Sequence, residues 1–294
     1  MIISDEELLL ELDRRFKEYK NMLTKQKELS RELVSANKKL MESEALKTHF
    51  ISSITNEIIN PFSSVLGLSR NILQVNKENW EKVKNMVRLI HSEAFNLDFQ
   101  FRNMFAAANI EAGELIIESA NFNLLKLVHA VVDSYKHEAE KKNIQITVNN
   151  HLPCETFNSD HDKLKLIVSN LLSNAIRYNN ENGKIGVTLE FSNKNLRFSI
   201  KDTGIGIIEQ NMGIIFDRFK KLHDQINSIN CGHGLGLSIV RSLVELLNGS
   251  IHVQSETGTG SEFIVIIPES GENTSIYQNT DENDINLIGN NEIF

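Results

Sequence analysis

The sequence predicts an α+β protein with a helical N-terminal part followed by a sandwich of helices on one face of a mixed sheet. Three observations predict this. Apolar residues recur in steps of three and four through residues 9–104, which is a helical period sustained over many turns. From 124 to 267, helix-like and strand-like periods alternate in short segments. Three glycine-rich stretches punctuate that second part.

The first seam runs through Leu9, Leu12, Phe16, Tyr19 and Leu23, then Gln26, Ser30, Leu33, Asn37 and Leu40. With Lys, Arg and Glu between its members, this segment has no core of its own and reads as a coiled coil over 1–45. The pattern then shifts register and resumes at Ile51, Ile54, Ile58, Pro61, Val65, Leu68, Ile72 and Val75, where Pro61 removes one backbone donor and is expected to kink the helix. After the polar break at 76–79, a second stripe follows through Trp80, Val83, Val87, Ile90, Ala94, Leu97, Phe101 and Met104. Two long helices with narrow stripes and a short connection predict an antiparallel hairpin over 46–113. Such a hairpin buries its stripes best by pairing with a second copy, so a homodimeric four-helix bundle is expected.

In the second part, over 114–268, residues 124–135 and 160–178 are helical by period, and the latter is strongly amphipathic through Leu164, Ile167, Leu171, Leu172 and Ile176. Alternation predicts strands at 144–148, 184–191, 196–201, 250–255 and 262–267. From Glu269 to the end the chain has six acidic residues and no Lys or Arg, and a disordered tail is expected there.

Composition excludes several functions. A net charge of -8 argues against a broad nucleic-acid surface, which needs clustered cations to replace counterions. No apolar run approaches the roughly 18 residues of a membrane span, and the first residues are acidic, so a cytoplasmic location without a secretory signal is expected. Cys154 and Cys231 lie far apart without His or Cys at metal spacing and read as unpaired thiols.

The chemistry lies in the glycine-rich stretches at 202–207, 232–237 and 258–263. Glycines at alternate positions let backbone approach a bound group and present N–H donors to phosphate, above all where a helix starts, as after Gly236. Any one stretch alone is a weak signal. Together, in this order, and with Asn-Leu-Leu-Ser-Asn-Ala-Ile-Arg-Tyr at 170–178 upstream, they resemble the ATP-binding domain of sensor histidine kinases. The resemblance extends through the hairpin and covers about 46–268. Residues 170–178 resemble the N box, 202–206 and 232–236 the two glycine boxes, and 216–219 the F box.

The resemblance implies a Bergerat-type sandwich with an ATP lid over about 219–232. It implies that Asn174 holds a magnesium ion bridging the phosphates and that Asp202 accepts the adenine amino group. Arg177 stands where the family has Lys and keeps a cation for phosphate, while Tyr178 packs on the nucleotide. Asn170, Gly204, Gly206, Gly234, Leu235, Gly236 and Thr259 complete the implied ATP site. Arg218, Lys220 and Lys221 read equally as phosphate contacts or as solvated lid charges, and His233 as an ordinary lid residue.

The hairpin's first helix resembles the family's H box, but Asn56 occupies the position of the phosphoacceptor histidine. Glu57, Asn60 and Pro61 fit the pattern, whereas Ile59 stands where a basic residue is common. A carboxamide nitrogen is hardly nucleophilic because its lone pair is delocalised, so Asn56 cannot accept the phosphoryl group. Its place midway between Ile54 and Ile58 puts it on the exposed face of the expected helix. His49, seven residues earlier, shares that face at about 10 Å along the axis and is a weak substitute; His91 is no better.

The residue one turn after the acceptor is tied, in the family, to dephosphorylating a partner receiver, a role open to Asn60 through an oriented water. A residue that merely relieves the Pro61 kink is the plainer reading. Four functions therefore stand open. The chain is a Mg-ATP-binding member of a phosphorelay, acting on the histidine of another chain or on a response regulator; a nucleotide-sensing dimeric scaffold; an engineered acceptor-dead form of an ordinary autokinase; or a serine kinase or chaperone-like ATPase of the wider superfamily. The heptad hairpin speaks against the last. Stimulus and output are expected to come from other chains or from a longer parent.

Overall fold

The computed structural model describes residues 5–75, 79–218 and 234–270, and along the first helix it describes side chains at 12, 14–38, 41 and from 58 onward. Several expectations lie outside these residues. They are the exposure of Asn56, Glu57 and His49, the lid with Lys220, Lys221, Cys231 and His233, and the tail beyond Ser270.

The chain divides into two units, Met1–Ile59 and Asn60–Phe294. Helix α1 (Asp5–Leu73) contains the division and includes Pro61. In the first unit Leu12, Phe16, Tyr19, Leu23 and Leu33 are all exposed in the single chain, so the heptad seam is apolar surface without a cover of its own.

In the second unit, α2 (Trp80–Ala112) ends where the N–H of Gly113 bonds the carbonyls of Asn109 and Ile110. Strand β1 (Ser119–Asn123) follows, and the Asn123 side chain caps α3 (Leu124–Lys141) by accepting from Lys126 N. Strands β2 (Gln145–His151) and β3 (Thr156–Asp160) come next, and Asp160 caps α4 (His161–Arg177). Then come β4 (Lys184–Ser192), β5 (Asn195–Asp202), α5 (Gly236–Leu246), β6 (Ser250–Glu256) and β7 (Gly260–Pro268).

The main sheet runs β2-β4-β5-β7-β6, with β2 parallel to β4 and every other pair antiparallel. The expected mixed sheet is therefore present. Alternation decides its inner face: Ile185, Val187 and Leu189 of β4 and Leu196, Phe198 and Ile200 of β5 are fully buried. Leu164, Ile167, Val168, Leu171 and Leu172 of α4 close the core from the helix side. The small β1–β3 pair was not legible in the sequence, because Ser-Ala-Asn-Phe-Asn and Thr-Phe-Asn-Ser-Asp have little strand propensity. Glu269 and Ser270 remain bonded to the domain, through Lys194 O and Asn158 O, so the sheet's last connections extend two residues into the acidic stretch.

Within one chain, α2 buries a face beside the stripe that is expected to pair with a second copy. Trp80, Val87 and Phe101 of the expected stripe are exposed, while Met86, Ser92, Asn103 and Ala106 are buried. The reason is that α2 packs on α5 and on Tyr135 of α3, whose ring meets Phe95 and Phe99 edge-on at centroid distances of 5.3 and 6.1 Å. Trp80, Val87 and Phe101 of the predicted stripe are left as open apolar surface beside that contact, while Val83, Ile90, Leu97 and Met104 are half-buried. No helix among the described residues is long and apolar enough to cross a membrane.

Candidate functional site

Asp202 ends β5 on the same parity as Leu196, Phe198 and Ile200, so its carboxylate sits at the rim of the layer between sheet and helices, 7% exposed. Its Oδ1 accepts from Gly204 N at 2.8 Å and from Ser261 N at 3.3 Å, and among the described residues Oδ2 accepts nothing. Burial holds the Asp202 carboxyl above the usual carboxylate range, and the two N–H donors pull the other way. A buried acceptor with one oxygen fixed and the other open suits a single exocyclic amine.

The loop after Asp202 is shaped by close backbone approach. A Cβ at Gly204 would collide with Tyr178 O, and one at Gly260 with Asp202 O. Gly206 has a left-handed φ of +68° and lies against Glu256 O. The β6–β7 turn is tied to this loop, Gly258 N donating to Ile205 O at 2.8 Å and Ile207 N to Ser255 Oγ at 2.8 Å. Thr259 lies exposed on that turn.

The end of α4 holds the same loop from the other side. Ile205 N donates to Tyr178 O at 3.1 Å, and Asn180 Nδ2 to Thr203 O at 3.1 Å. Buried Asn179 accepts from Thr203 Oγ1 and donates to Lys184 O. Lys142 caps the helix, its Nζ donating to Ile176 O, Arg177 O and Asn179 O at 3.0, 2.6 and 3.3 Å. Burial lowers the Lys142 pKa, as does the nearby Arg177 charge. Tyr178 itself is half-exposed, free to lie against a ligand.

A second cluster forms where α4 meets α5. Asn170 is buried, Asn174 is half-buried one turn on, and both side chains approach Gly236, the first residue of α5. A Cβ there would lie 2.7 Å from Asn170 Oδ1 and 4.0 Å from Asn174 Nδ2. Gly234, with φ of +68°, and buried Leu235 lead into that helix start. The Asn170 amide oxygen beside the free N–H groups of a helix N-terminus, with the Asn174 carboxamide next to it, forms a polar set suited to phosphates and a hard divalent cation.

The predicted residues thus fall into two adjoining clusters. Asp202, Gly204, Gly206, Tyr178 and Thr259 belong to one; Asn170, Asn174, Gly234, Leu235 and Gly236 to the other. Arg177 is exposed, and its charge acts on Lys142 and Glu138 of α3. Asn60 is an exposed residue of α1. Sequence reasoning missed Ser261, Lys142, the Asn179–Thr203 pair and Asn103. Ser261 stood inside a quoted glycine stretch, whereas Lys142 and Asn103 have no local pattern that marks them.

A sandwich with an open acidic acceptor at a strand end and paired amides at a helix start defines a nucleotide-type ATPase domain. Comparison with known proteins agrees. Residues 159–271 match the family model described as histidine kinase-, DNA gyrase B-, and HSP90-like ATPase. The chain is 29% identical over 250 residues to the circadian input-output histidine kinase CikA of Synechococcus elongatus, covering 82% of this chain and 32% of that protein. It is 31% identical over 239 residues to the signal transduction histidine-protein kinase BarA of Escherichia coli K12, covering 79% and 26%. Among solved structures, full-length ShkA in complex with AMPPNP aligns at a TM-score of 0.55 and 25% identity, over 76% of this chain and 46% of that one. The chain carries an ATPase domain of the sensor histidine kinase family. It spans about a third or less of the curated relatives named here.

Proposed function

We propose that this chain binds Mg-ATP and serves in two-component signalling by acting on a partner protein, not on its own hairpin at the usual position. The convergence of Asp202 on one side and Asn170 with Asn174 on the other carries this reading. Asp202 Oδ2 receives the adenine amino group and Tyr178 lies against the base. The α5 start with Gly234 and Gly236 takes the phosphates, and Asn174 holds the magnesium ion, which neutralises phosphate charge when bound. The solved complex of ShkA with AMPPNP supports a nucleotide in this class of domain.

Asn56 stands at the position that would take the phosphoryl group, and its delocalised amide lone pair makes it inert. Two roles remain. In one, the γ-phosphoryl group passes to an imidazole nitrogen of a partner histidine kinase as the bond to the leaving ADP oxygen breaks. In the other, Asn60 orients a water that attacks a receiver's aspartyl phosphate, releasing inorganic phosphate and the free carboxylate. The exposure of Asn60 supports the second role, since a receiver must reach it. A homodimer formed through the uncovered stripes of the coiled coil and hairpin is part of the proposal.

The test uses γ-labelled ATP with the purified chain, a histidine-bearing partner kinase and a phosphorylated response regulator. No self-label is expected, and receiver phosphate is expected to clear faster with the chain present. Acid-labile self-labelling lost in His49→Ala would overturn the reading. An Asn60→Ala variant is expected to slow clearance roughly a hundredfold or more, on the scale of general acid–base contributions; clearance at the parent rate would remove Asn60 from the mechanism.

A further inference from the structure

We infer that Asn103, on the hairpin helix α2, is a positioning residue for the metal and phosphate side of the nucleotide site, acting through Asn170. The inference rests on the nucleotide-site reading above. Asn103 and Asn170 are 67 positions apart, yet Asn170 Nδ2 donates to Asn103 Oδ1 at 2.7 Å, with the two residues only 3% and 9% exposed respectively for Asn170 and Asn103. Each amide has a second bond to its own helix: Asn103 Nδ2 donates to Phe99 O at 3.1 Å and Asn170 Nδ2 to Leu166 O at 2.9 Å.

Those two carbonyls settle which way each amide points. A backbone carbonyl only accepts, so the nitrogen of each side chain must face its own helix. Asn103 then presents its oxygen to Asn170. With both N–H groups of Asn170 spent, on Leu166 and Asn103, its Oδ1 faces the other way, toward Gly236 at the start of α5. An oxygen there can receive a cation or a bound water; an amide nitrogen there would repel one. Leu166 O and Asn103 Oδ1 together hold Asn170 in the ligand-ready orientation, and Asn103 adds its share from α2.

The contact is part of a built interface. Phe95 and Phe99, two turns and one turn before Asn103, hold Tyr135 edge-on, and α2 packs on α5 directly. Any movement of α2 that breaks the pair leaves the Asn170 amide held by Leu166 O alone, and so less firmly oriented. The hairpin and the nucleotide site are thereby coupled through one hydrogen bond.

The experiment measures equilibrium affinity of the full chain for ATP, with magnesium and with excess chelator, by calorimetry. Asn103→Leu keeps the volume and removes the acceptor. It is expected to weaken Mg-ATP binding about tenfold while leaving chelated ATP within about twofold, which also shows that the variant is folded. In an Asn170→Ala background, Asn103→Leu is expected to have no further effect, because a pair acting as one unit is non-additive. Equal losses with and without magnesium, an additive double variant, or unchanged Mg-ATP affinity in Asn103→Leu would each overturn the inference. A parent chain that binds no nucleotide would instead refute the reading of the site itself.

Discussion

Asp202→Ala is expected to weaken adenine-nucleotide binding about a hundredfold while leaving the fold intact, as measured by titration of the purified chain with ATP. The magnitude follows from a charge-assisted hydrogen bond of ~1.5–3 kcal/mol whose partner is left in a dry rim. The loss falls on the base and not on the phosphates, so guanine nucleotides, which lack the exocyclic amine at that position, are expected to change little. Unchanged ATP affinity would remove Asp202 from the site.

The same residue gives a pH signature. Burial raises the Asp202 pKa above its ordinary 3.8, and the ionised form is the one that accepts the amine best. ATP affinity is therefore expected to fall as pH drops through that raised value, at a higher pH than an ordinary aspartate would set. Stability runs the opposite way. A carboxyl whose folded pKa is raised contributes stability that is fully present below its unfolded pKa and is lost as pH rises through its folded pKa. Asp202→Asn is expected to flatten both dependences, read by ATP titration and by thermal melts across mildly acidic pH.

The second large effect is expected at Gly260. Its φ of +124° lies where side chains are strained by about 1–3 kcal/mol, and a Cβ would press on the carbonyl of Asp202. Neither strand can yield cheaply, because β5 and β7 pair from Lys201 to Asn195. Gly260→Ala is expected to destabilise the domain by roughly 3 kcal/mol and lower its melting temperature by about 10 °C. It is also expected to displace the Ser261 N–H from Asp202, so ATP binding falls with stability. Gly213→Ala, in open space at a non-strained backbone position, is the control and is expected to change neither. Equal melting temperatures for the two variants would refute the close-approach account.

Much of this protein was legible in its residue order. The strand at 184–191 and the helix at 160–178 were readable because their apolar periods of two and 3.6 meet one buried face each, and Ile185, Val187, Leu189, Leu164 and Leu171 are all core. The site residues were readable for a different reason: glycine pairs and an Asn-x-x-x-Asn helix are local patterns whose chemistry does not depend on distant partners. Asn56 is likewise marked, by residue type alone, as a side chain too weakly nucleophilic to take a phosphoryl group.

What residue order did not contain was which distant surfaces meet. A stripe gives a helix a face but not a partner, and α2 spends a different face, through Asn103, Phe95 and Phe99, on the nucleotide domain. The orientation of Asn170 depends on Asn103, and the set of Asp202 on Ser261, each a bond across at least 59 positions. Hydrogen bonds of that span are decided by packing of whole layers. The sequence thus determined the periods and the glycine turns. The tertiary structure alone decided how the hairpin reaches the site, because only the folded layers bring those two amides within bonding distance.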